Sequence, residues 1–453
     1  MNLLYYPTDA EKNALLEDYV DRNVCGDYIY DYPPRQAYRP LPQETAINEV
    51  VRSLSLSDEL NLYYHFPFCK QICSYCNLFA ICESDPDNIS DYFEALKKET
   101  LFYLPHIKGK RINTIYLGGG TPSLINAELF ADFLGFLQKE LDFDVNTVSE
   151  VAMEMSPDTA IPEYLSQLRA CGINRVNIGV QAVDDSELFC IGRKYDKNLI
   201  FESLRAVMDA GFKNVCVDLI YGLENQSIES WQNSVKEIVG YEPPTICAYP
   251  LTLRSNTGFS RKGYTAIDGK EQYEKYCFAR DYLLSHGYIQ ETHVRYKKKG
   301  SCGGYVQKQN HWNQQNILGM GAGARSYLKT VNTRNGYSVI NRMGAYRNYM
   351  NSIAENSFAI TDGYIMTRDE MMLKQIVLGL DGLDLGRFHK DYGIGFPDRF
   401  PSEYNHLINE EYIYENDGRI FLSDKGNKYR DLIVQMFFSN EVSALISEYT
   451  YDE

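Results

Sequence analysis

The sequence predicts an α/β protein with a barrel-type core, an N-terminal arm and a C-terminal winged-helix-like α+β domain. Between residues 59 and 251, short apolar, β-branched or aromatic runs alternate with helical stretches, which is the pattern of parallel βαβ units. Polar or glycine-rich segments follow nearly every run, and a barrel collects such segments on one face. The barrel is therefore favoured over a doubly wound sheet, which the alternation alone leaves open.

Six strands and the helices between them account for this core. The strands are predicted at Leu60–Phe66, Ile112–Leu117, Val148–Met155, Arg175–Val180, Val215–Ile220 and Thr245–Leu251. The helices are predicted at Tyr92–Leu104, Ala127–Leu141, Pro162–Ala170, Asn198–Ala210 and Ile228–Val239.

Four segments are predicted along the chain, since 453 residues exceed one ordinary core. They are an arm at 1–58, the barrel at 59–290, a barrel-edge and connecting segment at 291–360, and the winged-helix-like domain at 361–453. Prolines disfavour helix in the arm segment DYIYDYPPRQAYR, so we expect an extended lid or a docked tail. The stretch NEEYIYENDGRIFLSDKG predicts a two-stranded wing, and GMGAGARS predicts a tight loop against the barrel.

Composition excludes several classes of protein. The chain has 45 Lys and Arg against 61 Asp and Glu, a net charge of −16, which disfavours nucleic-acid binding. No apolar run has the length of a membrane span, and the N-terminal residues lack the basic and apolar regions of a signal peptide. The eleven cysteines are odd in number and scattered, as in a reducing compartment. A cytoplasmic location is expected.

Three cysteines form the candidate metal site. Cys69, Cys73 and Cys76 stand in YYHFPFCKQICSYCNLF with three and then two residues between them. Three thiolates at this spacing can ligate three irons of a cubane iron–sulfur cluster and leave the fourth iron open to a chelating ligand. Zinc is the alternative, but it needs a fourth ligand, and His65 is the only nearby imidazole.

Candidate ligand-binding residues follow the other strands. The loop Gly118–Ser123 has three glycines, which let backbone amides approach a bound group. It is neither a P-loop nor a dinucleotide loop, so a carboxylate or amino group is the better ligand. Glu154 and Asp218 are carboxylates in apolar strands, so each is a site residue or half of an ion pair, with Arg193 as the candidate partner. Gln181, at a strand end, is a weaker candidate.

Together these segments resemble the radical S-adenosylmethionine (SAM) enzymes, and more narrowly the oxygen-independent coproporphyrinogen III dehydrogenase (HemN-like) group. The matching segments are YYHFPFCKQICSYC, YLGGGTPS, EMSPD, GINRVNIGVQAVDD, GRKYD, VDLIYGL and LGMGAGARSYL. The resemblance implies a partial (β/α)6 barrel and a 4Fe–4S cluster whose open iron is chelated by SAM. It implies reductive cleavage of SAM to methionine and a 5′-deoxyadenosyl radical, with a flavodoxin- or ferredoxin-type electron donor.

The resemblance also implies roles for individual residues. Cys69, Cys73 and Cys76 correspond to the metal ligands, and Tyr63 matches a tyrosine beside the cluster and SAM, which makes it the candidate catalytic residue. The positions that correspond to SAM contacts are Gly119, Gly120 and Thr121 at the methionine end, and Glu154, Gln181, Arg193 and Asp218 around the amino group, carboxylate and ribose.

Two departures from the group's patterns predict the subgroup. The dehydrogenases usually carry a fourth cysteine two residues after the third, and here Leu78 stands at that position beside the cofactor. The related heme chaperones carry H-N-x-x-Y-W, and here the stretch is QKQNHW. These differences predict a class C methyltransferase-type enzyme. Such enzymes bind two SAM molecules and transfer a one-carbon unit, by methylation or cyclopropanation, to an sp2 carbon of an aromatic natural product or a tetrapyrrole.

Two alternatives stay open. The aromatic arm resembles the N-terminal arm of the dehydrogenases, which favours oxidative decarboxylation of a porphyrinogen. A heme-binding carrier without catalytic activity is the other alternative.

Overall fold

The N-terminal part of the chain is more helical than its prolines predict. The computed structural model describes residues 9–22, 29–254, 257–265, 267–338 and 340–449, so Asp27 and Tyr28 of the aromatic segment lie outside the described residues. The elements here are α1 (Asp9–Asp21), β1 (Arg39–Pro40) and α2 (Gln43–Ser55). Helix α2 begins directly after Pro42 and buries Ala46, Val50 and Leu54 at helical spacing. Proline is tolerated at a helix start, so it delimits this helix instead of excluding it.

The predicted alternation of strands and helices is confirmed in the next segment. Its elements are β2 (Glu59–Phe66), β3 (Phe68–Cys69), β4 (Ile81–Cys82), α3 (Pro86–Ile107), β5 (Arg111–Gly119), α4 (Ala127–Leu141), β6 (Glu150–Met155), α5 (Pro162–Ala170), β7 (Arg175–Gln181), α6 (Asp185–Cys190), α7 (Lys197–Asp209), β8 (Asn214–Tyr221), α8 (Ile228–Gly240) and β9 (Thr245–Pro250). Strands β2, β5, β6, β7, β8 and β9 pair in parallel in that order. Their carboxyl ends therefore meet at one edge.

Local sequence explains where the helices start. The side chains of Asn126, Asp196 and Ser227 accept hydrogen bonds from the first-turn amides of α4, α7 and α8, which satisfies donors that the helix leaves unpaired. Helix α8 turns Trp231, Val235 and Ile238 towards the core. Capping and amphipathic spacing together place each helix on the sheet.

The following segment extends the sheet at both ends. Its elements are α9 (Gly258–Arg261), α10 (Gly269–Ser285), β10 (Tyr288–Thr292), β11 (Arg295–Lys298), α11 (Val306–Trp312), β12 (Ile317–Met320), β13 (Arg325–Tyr327), β14 (Val331–Asn335), α12 (Arg342–Ala354) and β15 (Ile360–Ile365). The full order is β1-β15-β14-β13-β12-β2-β5-β6-β7-β8-β9-β11-β10. Because β2 pairs with β12, and β9 with β11, the barrel is open, as a partial barrel requires.

The glycine-rich segment GMGAGARS forms a turn between two strands. Gly321 and Gly323 have φ values of 104° and 79°, which favour glycine. A Cβ at Gly321 would lie 2.5 Å from the Tyr92 hydroxyl and 2.7 Å from the His65 carbonyl. The predicted tight loop against the barrel is confirmed, and it delivers Arg325 to the start of β13.

The C-terminal segment forms a small α+β unit. Its elements are α13 (Arg368–Gly379), β16 (Leu383–Asp384), α14 (Leu385–Tyr392), α15 (Phe396–Arg399), α16 (Pro401–Asn409), β17 (Ile413–Asn416), β18 (Arg419–Leu422), α17 (Asp424–Lys428), α18 (Arg430–Gln435) and α19 (Asn440–Ser447). The predicted wing is β17 and β18, joined at Asp417 and Gly418, which have φ values of 49° and 72°. Positive φ at both positions is typical of a tight hairpin. Strand β16 adds a third strand to this sheet.

The N-terminal arm packs into the C-terminal unit. Leu16, Tyr19, Tyr32 and Tyr38 belong to one apolar cluster with side chains of that unit, and the Tyr32 hydroxyl donates to Glu370. Among the described helices, none combines the length and apolar content needed to cross a membrane.

Candidate metal centre and ligand cleft

The three cysteines line one cavity of about 880 Å³. Their segment follows β2 and is held in shape by its own backbone. Cys69 on β3 pairs with Cys82 on β4, and the amide of Cys76 donates to the Cys73 carbonyl at 3.0 Å. Cys69 is buried, while Cys73 and Cys76 are half-buried. The thiols therefore face a cavity that can hold a bound group.

Three neighbouring loops anchor this segment. The amides of Gly120 and Thr121 donate to the carbonyls of Phe66 and Phe68 at 2.7 and 2.8 Å. On the other side, the Ser74 amide donates to the Ile191 carbonyl at 2.9 Å, and the Phe259 amide donates to the Ser74 carbonyl at 2.8 Å. Bonds from the β5, α6 and α9 loops fix the cysteine positions relative to the carboxyl ends of the strands.

The donor set fits an iron–sulfur cluster better than zinc. Burial raises the pKa of Cys69 to about 12 and that of Cys76 to about 11. Metal ions would therefore be needed to hold these thiols as thiolates. His65 is not available as a fourth ligand, because its Nδ1 lies 2.9 Å from the Tyr63 hydroxyl and its Nε2 lies 2.7 Å from the Phe79 carbonyl. Three sulfur donors beside an open cavity match a cluster with one exchangeable iron.

The glycine loop after β5 allows close backbone approach. A Cβ at Gly120 would lie 2.4 Å from the Phe68 carbonyl oxygen, and one at Gly119 would lie 2.5 Å from the His65 ring. Gly119 also has a φ of 117°, which side chains other than hydrogen rarely permit. The Gly119 amide donates to Glu154 Oε2 at 3.0 Å, which ties this loop to strand β6.

Glu154 has hydrogen-bond donors but no ion-pair partner among the described residues. Tyr116 donates its hydroxyl to Glu154 Oε1 at 2.8 Å, in addition to the Gly119 amide. Burial raises the pKa of Glu154, so a cationic ligand would stabilise its carboxylate. The ion-pair alternative with Arg193 is not realised in the structure, where Arg193 donates to the Ser156 hydroxyl at 2.8 Å. Arg193 is held beside the cysteine segment, where its charge acts on Cys69 and Cys76.

The end of β7 is strained in a way that turns Gln181 into the cleft. Gln181 has a φ of 72°, and the Ala182 amide donates to the Val180 carbonyl across it at 3.0 Å. This is a γ-turn with positive φ, which is rare and strained. The register with β8 shifts between Gly179 and Gln181. An outlier of this kind at a cavity wall points to a binding role.

Asp218 and Asn177 complete the floor of the cleft. Burial raises the pKa of Asp218 well above its usual range, and the nearby Cys247 and Glu154 raise it further. The Asn177 Oδ1 atom is buried and has no hydrogen-bond partner among the described residues. Both side chains line the cavity, so a ligand with hydroxyl or amino donors would satisfy them.

The cavity brings together almost all the residues predicted for the cofactor. Its walls include Cys69, Cys73, Cys76, Leu78, Gly119, Gly120, Thr121, Glu154, Gln181, Arg193 and Asp218. Tyr63 is the exception, since it lies in the wall of a neighbouring cavity. Its hydroxyl contacts His65, and its ring stacks on Tyr116 at 6.0 Å. Sequence reasoning missed Asn177, which ends no strand and therefore carries no positional signal.

A second group of possible metal donors lies deeper in the barrel. One ligand atom each of Cys216, Asp218 and Cys247 lie within 4.8 Å of one another. The positive charges of Arg175 and Arg295 act on these thiols, and they oppose a cation there. This makes the group a poorer metal site than the three cysteines of the cleft.

A second cavity, of about 240 Å³, adjoins the cleft. Tyr30, Asn77 and Leu78 line both cavities. The walls of the second cavity include the six aromatic side chains Tyr30, Tyr63, Phe79, Tyr305, Tyr327 and Tyr337. It also has cationic groups from the arm, from α11 and from β13, which are Arg35, Lys308 and Arg325. A flat, anionic group would fit such a space.

Known proteins resemble this chain in sequence and in fold. Residues 63–238 match the model of the Radical SAM superfamily. The structure resembles that of coproporphyrinogen III oxidase (HemN) from Escherichia coli with a TM-score of 0.76 and 20% identity, over 93% of this chain and 98% of that chain. This likeness confirms the fold class. The radical SAM fold implies a 4Fe–4S cluster and SAM as cofactors.

Two groups of curated proteins are among the relatives of this chain. The heme chaperone HemW of Bacillus subtilis is 28% identical over 375 residues, covering 80% of this chain and 95% of the relative. The oxygen-independent coproporphyrinogen III oxidase of Escherichia coli is 24% identical over 429 residues, covering 91% and 90%. Both groups correspond to the alternatives left open by the sequence, and neither supports the class C methyltransferase subgroup.

Proposed function

We propose that this chain, which carries a radical SAM domain and is homologous to HemN and HemW proteins, is a radical SAM enzyme that acts on a carboxylated tetrapyrrole. Oxidative decarboxylation of a porphyrinogen side chain is the reaction that we favour: the deoxyadenosyl radical would take one hydrogen atom, the carboxylate would leave as CO2, and an external one-electron acceptor would take the remaining electron. The observation that carries the choice of substrate is the aromatic cavity that opens directly off the cleft.

The cleft residues have separate tasks in this proposal. Cys69, Cys73 and Cys76 would hold the 4Fe–4S cluster, which supplies the electron that cleaves SAM to methionine and a 5′-deoxyadenosyl radical. Glu154, with its two hydrogen-bond donors and raised pKa, is suited to a cationic or hydroxyl-bearing part of SAM. Arg193 and Asp218, which also line the cleft, would hold the remaining polar groups.

The second cavity is suited to one ring of a larger substrate. Its volume of about 240 Å³ lies below the usual range of roughly 300–1,000 Å³ for whole ligands. Rings such as Tyr305 and Tyr327 can stack on a pyrrole. Since Leu78 and Asn77 line both cavities, a side chain of that ring would lie close to the cleft. This proximity is what transfer of a hydrogen atom from substrate to the deoxyadenosyl radical requires.

The histidines of the second cavity differ in their hydrogen bonding. His65 is engaged by Tyr63 and Phe79, whereas His311 Nε2 is buried, lies 3.6 Å from Asp31 and has no hydrogen-bond partner among the described residues. This imidazole could serve as an axial ligand for heme iron, so a heme carrier is the second candidate function.

The test is an anaerobic assay of the cluster-loaded protein with SAM, a reductant, a one-electron acceptor and coproporphyrinogen III. We expect 5′-deoxyadenosine, methionine and a decarboxylated porphyrinogen, each followed by mass spectrometry. The Cys73→Ser variant is the negative control. SAM cleavage with unchanged coproporphyrinogen would contradict the proposal.

Using methyl-deuterated SAM in the same assay separates the other functions. Deuterium in 5′-deoxyadenosine, together with S-adenosylhomocysteine, would support one-carbon transfer with two SAM molecules. Tight heme binding without SAM cleavage would support a carrier. Formation of methionine and unlabelled 5′-deoxyadenosine, without S-adenosylhomocysteine, would agree with decarboxylation.

A further inference from the structure

Two sequence features remain without a role in the proposed function. They are the aromatic arm segment, which contributes Tyr30 and Arg35, and the glycine-rich turn that leads into Arg325 on β13. The structure brings both to the second cavity, where these residues form part of its wall. Lys308 of α11 joins them there.

The cationic groups of this wall have neutral hydrogen-bond partners. Arg325 Nη1 donates to the Tyr30 hydroxyl at 2.8 Å, and Arg35 Nη1 donates to the Tyr337 hydroxyl at 3.0 Å. Lys308 Nζ donates to the Tyr30 carbonyl at 3.2 Å. These bonds fix the positions of the cations without neutralising their charge.

The charge of the wall is unbalanced. In the part of the chain that the structure describes, no carboxylate forms an ion pair with Arg35, Lys308 or Arg325. Asp31 is the acidic neighbour, and it accepts from the Tyr32 amide at 2.8 Å and from the Tyr38 hydroxyl at 3.3 Å. One acid thus faces several cations, of which Arg35 is buried and Lys308 and Arg325 are half-buried, and unpaired charge is costly in such surroundings.

The two arginines hold the fixed part of this charge. Burial lowers the pKa of Lys308 to about 8, so its proton is more weakly held than usual. Burial raises the pKa of Tyr30, but Arg325 and Arg35 outweigh it and bring the pKa to about 8. Tyr30 is therefore mainly a neutral phenol at pH 7. Arginine, in contrast, stays charged under all physiological conditions.

We propose that Arg325 and Arg35 bind a carboxylate of the ligand while the aromatic wall stacks on its ring. An arginine fork matches a carboxylate with two parallel hydrogen bonds. Tyr30, held by Arg325, adds a hydroxyl donor at the same place. This inference rests on the proposed function for the identity of the substrate, and it names the part of the substrate that the site recognises.

A carboxylate at this place has two sources. It belongs either to a tetrapyrrole substrate or to the methionine part of a second SAM molecule. The two share the same chemistry, and binding measurements on the cluster-loaded protein distinguish them.

The first arm compares coproporphyrin III, which has free carboxylates, with its tetramethyl ester. We expect the wild type to prefer the acid by at least about tenfold, since a charge-assisted hydrogen bond contributes about 1.5–3 kcal/mol. Arg325→Gln should weaken binding of the acid by about 10–100-fold and leave the ester unchanged. Arg325→Lys should restore part of the affinity. The second arm measures how many SAM molecules bind to each protein.

The control is Arg111→Gln, because Arg111 is exposed, with 72% of its side chain accessible, and pairs with Glu59 at the amino end of β5. Its iron content and its affinity for coproporphyrin should match the wild type. If Arg325→Gln binds fewer SAM molecules than the wild type but binds coproporphyrin equally well, the carboxylate belongs to a second SAM. Equal binding of acid and ester by the wild type, or unchanged binding of both ligands by a cluster-loaded Arg325→Gln, would overturn the inference.

The two proposals can fail separately. If Arg325 controls the preference for the acid but coproporphyrinogen is not turned over, the carboxylate site stands and the proposed reaction falls. If turnover is observed and Arg325 has no effect on binding, the reaction stands and the carboxylate site falls.

Discussion

At the scale of single residues, the cysteine segment contains its own control. Cys69, Cys73 and Cys76 face the cleft, whereas Cys82 is exposed and donates to the Lys70 carbonyl at 3.7 Å. Replacing any of the first three with serine should reduce iron and sulfide content and SAM cleavage by more than about tenfold, since even partners of metal ligands have effects of 10–100-fold. Cys82→Ser should retain both. Loss of iron in Cys82→Ser alone would contradict the assignment.

Glu154 gives a prediction for SAM affinity. Glu154→Gln removes the negative charge but keeps the size of the side chain, so the dissociation constant for SAM should rise by about 10–100-fold. Tyr116→Phe removes only the hydroxyl that donates to Oε1, and its effect should be below about tenfold. Equilibrium binding to the cluster-loaded proteins measures both.

The same pair of proteins tests the ionisation of Glu154. Because burial raises the pKa of this carboxyl, its charged fraction grows as the pH rises. The SAM affinity of the wild type divided by that of Glu154→Gln should therefore increase with pH. A ratio that stays constant would show that the charge of Glu154 does not contribute to binding.

The candidate site residues could be predicted from the sequence where they belong to a short motif or end a predicted strand. The cysteine spacing and the strand-end positions of Glu154 and Asp218 are visible in the chain itself, and these residues do meet in one cleft. The ion-pair alternative for Arg193 could not be decided from the sequence, because no local pattern shows that its side chain donates to Ser156. The environment of Arg325 depends on Tyr30, which is 295 positions away. Contacts across such distances leave no periodic signal.

At the scale of elements, the β5 loop holds the cysteine segment through backbone contact. Gly120→Ala would place a Cβ 2.4 Å from the Phe68 carbonyl oxygen, so the loop or the segment must move. We expect this variant to lose cluster content and SAM cleavage by more than about tenfold, comparable with loss of a partner that orients a metal ligand. Gly135→Ala on α4 is the matched control, since no atom lies within 4 Å of its Cβ position. It should keep the cluster and gain up to about 1 kcal/mol of stability.

Elements were predictable where hydrophobic patterning was strong. The ends of all six barrel strands lie within two residues of their predicted bounds, because buried parallel strands form continuous apolar runs. Helix α2 departs from the predicted extended arm: Ala46, Val50 and Leu54 are spaced by four residues, and Pro42 before the helix does not prevent it from forming. The γ-turn at Gln181 could not be predicted, because glutamine has no preference for positive φ.

At the scale of the whole molecule, the arm joins the C-terminal unit to the cavity beside the cleft. Tyr32 is fully buried, packs on Phe438 at 5.1 Å and donates to Glu370. Tyr32→Ala should lower the free energy of unfolding by about 3–5 kcal/mol, measured by urea denaturation. Tyr414→Ala, at a residue that is 50% exposed, should change it by less than about 0.5 kcal/mol. Equal effects would indicate that the arm is not part of the C-terminal core.

Glu99 connects the barrel to the extended sheet. It lies on α3 and accepts from the Gly321 amide at 2.8 Å, from Asn335 Nδ2 at 2.7 Å and from the Tyr349 hydroxyl at 2.8 Å. These donors come from the turn after β12, from β14 and from α12. Burial raises the pKa of Glu99 to about 7 despite the three hydrogen bonds, so this junction should respond to pH.

The sign of the response follows from the direction of the shift. Below the ordinary pKa of 4.5, both the folded and the unfolded chain hold the proton and the contribution to stability is fully present. As the pH rises towards about 7, the unfolded chain releases the proton while the folded chain keeps it, so stability is lost, by up to about 3 kcal/mol. Urea denaturation at about pH 5 and about pH 8 should show that Glu99→Gln loses less stability than the wild type over this interval, by about that amount. The control is Glu94→Gln, on the exposed face of the same helix, and its stability should change with pH as that of the wild type does. Parallel pH profiles for all three proteins would mean that Glu99 is already ionised in the folded molecule.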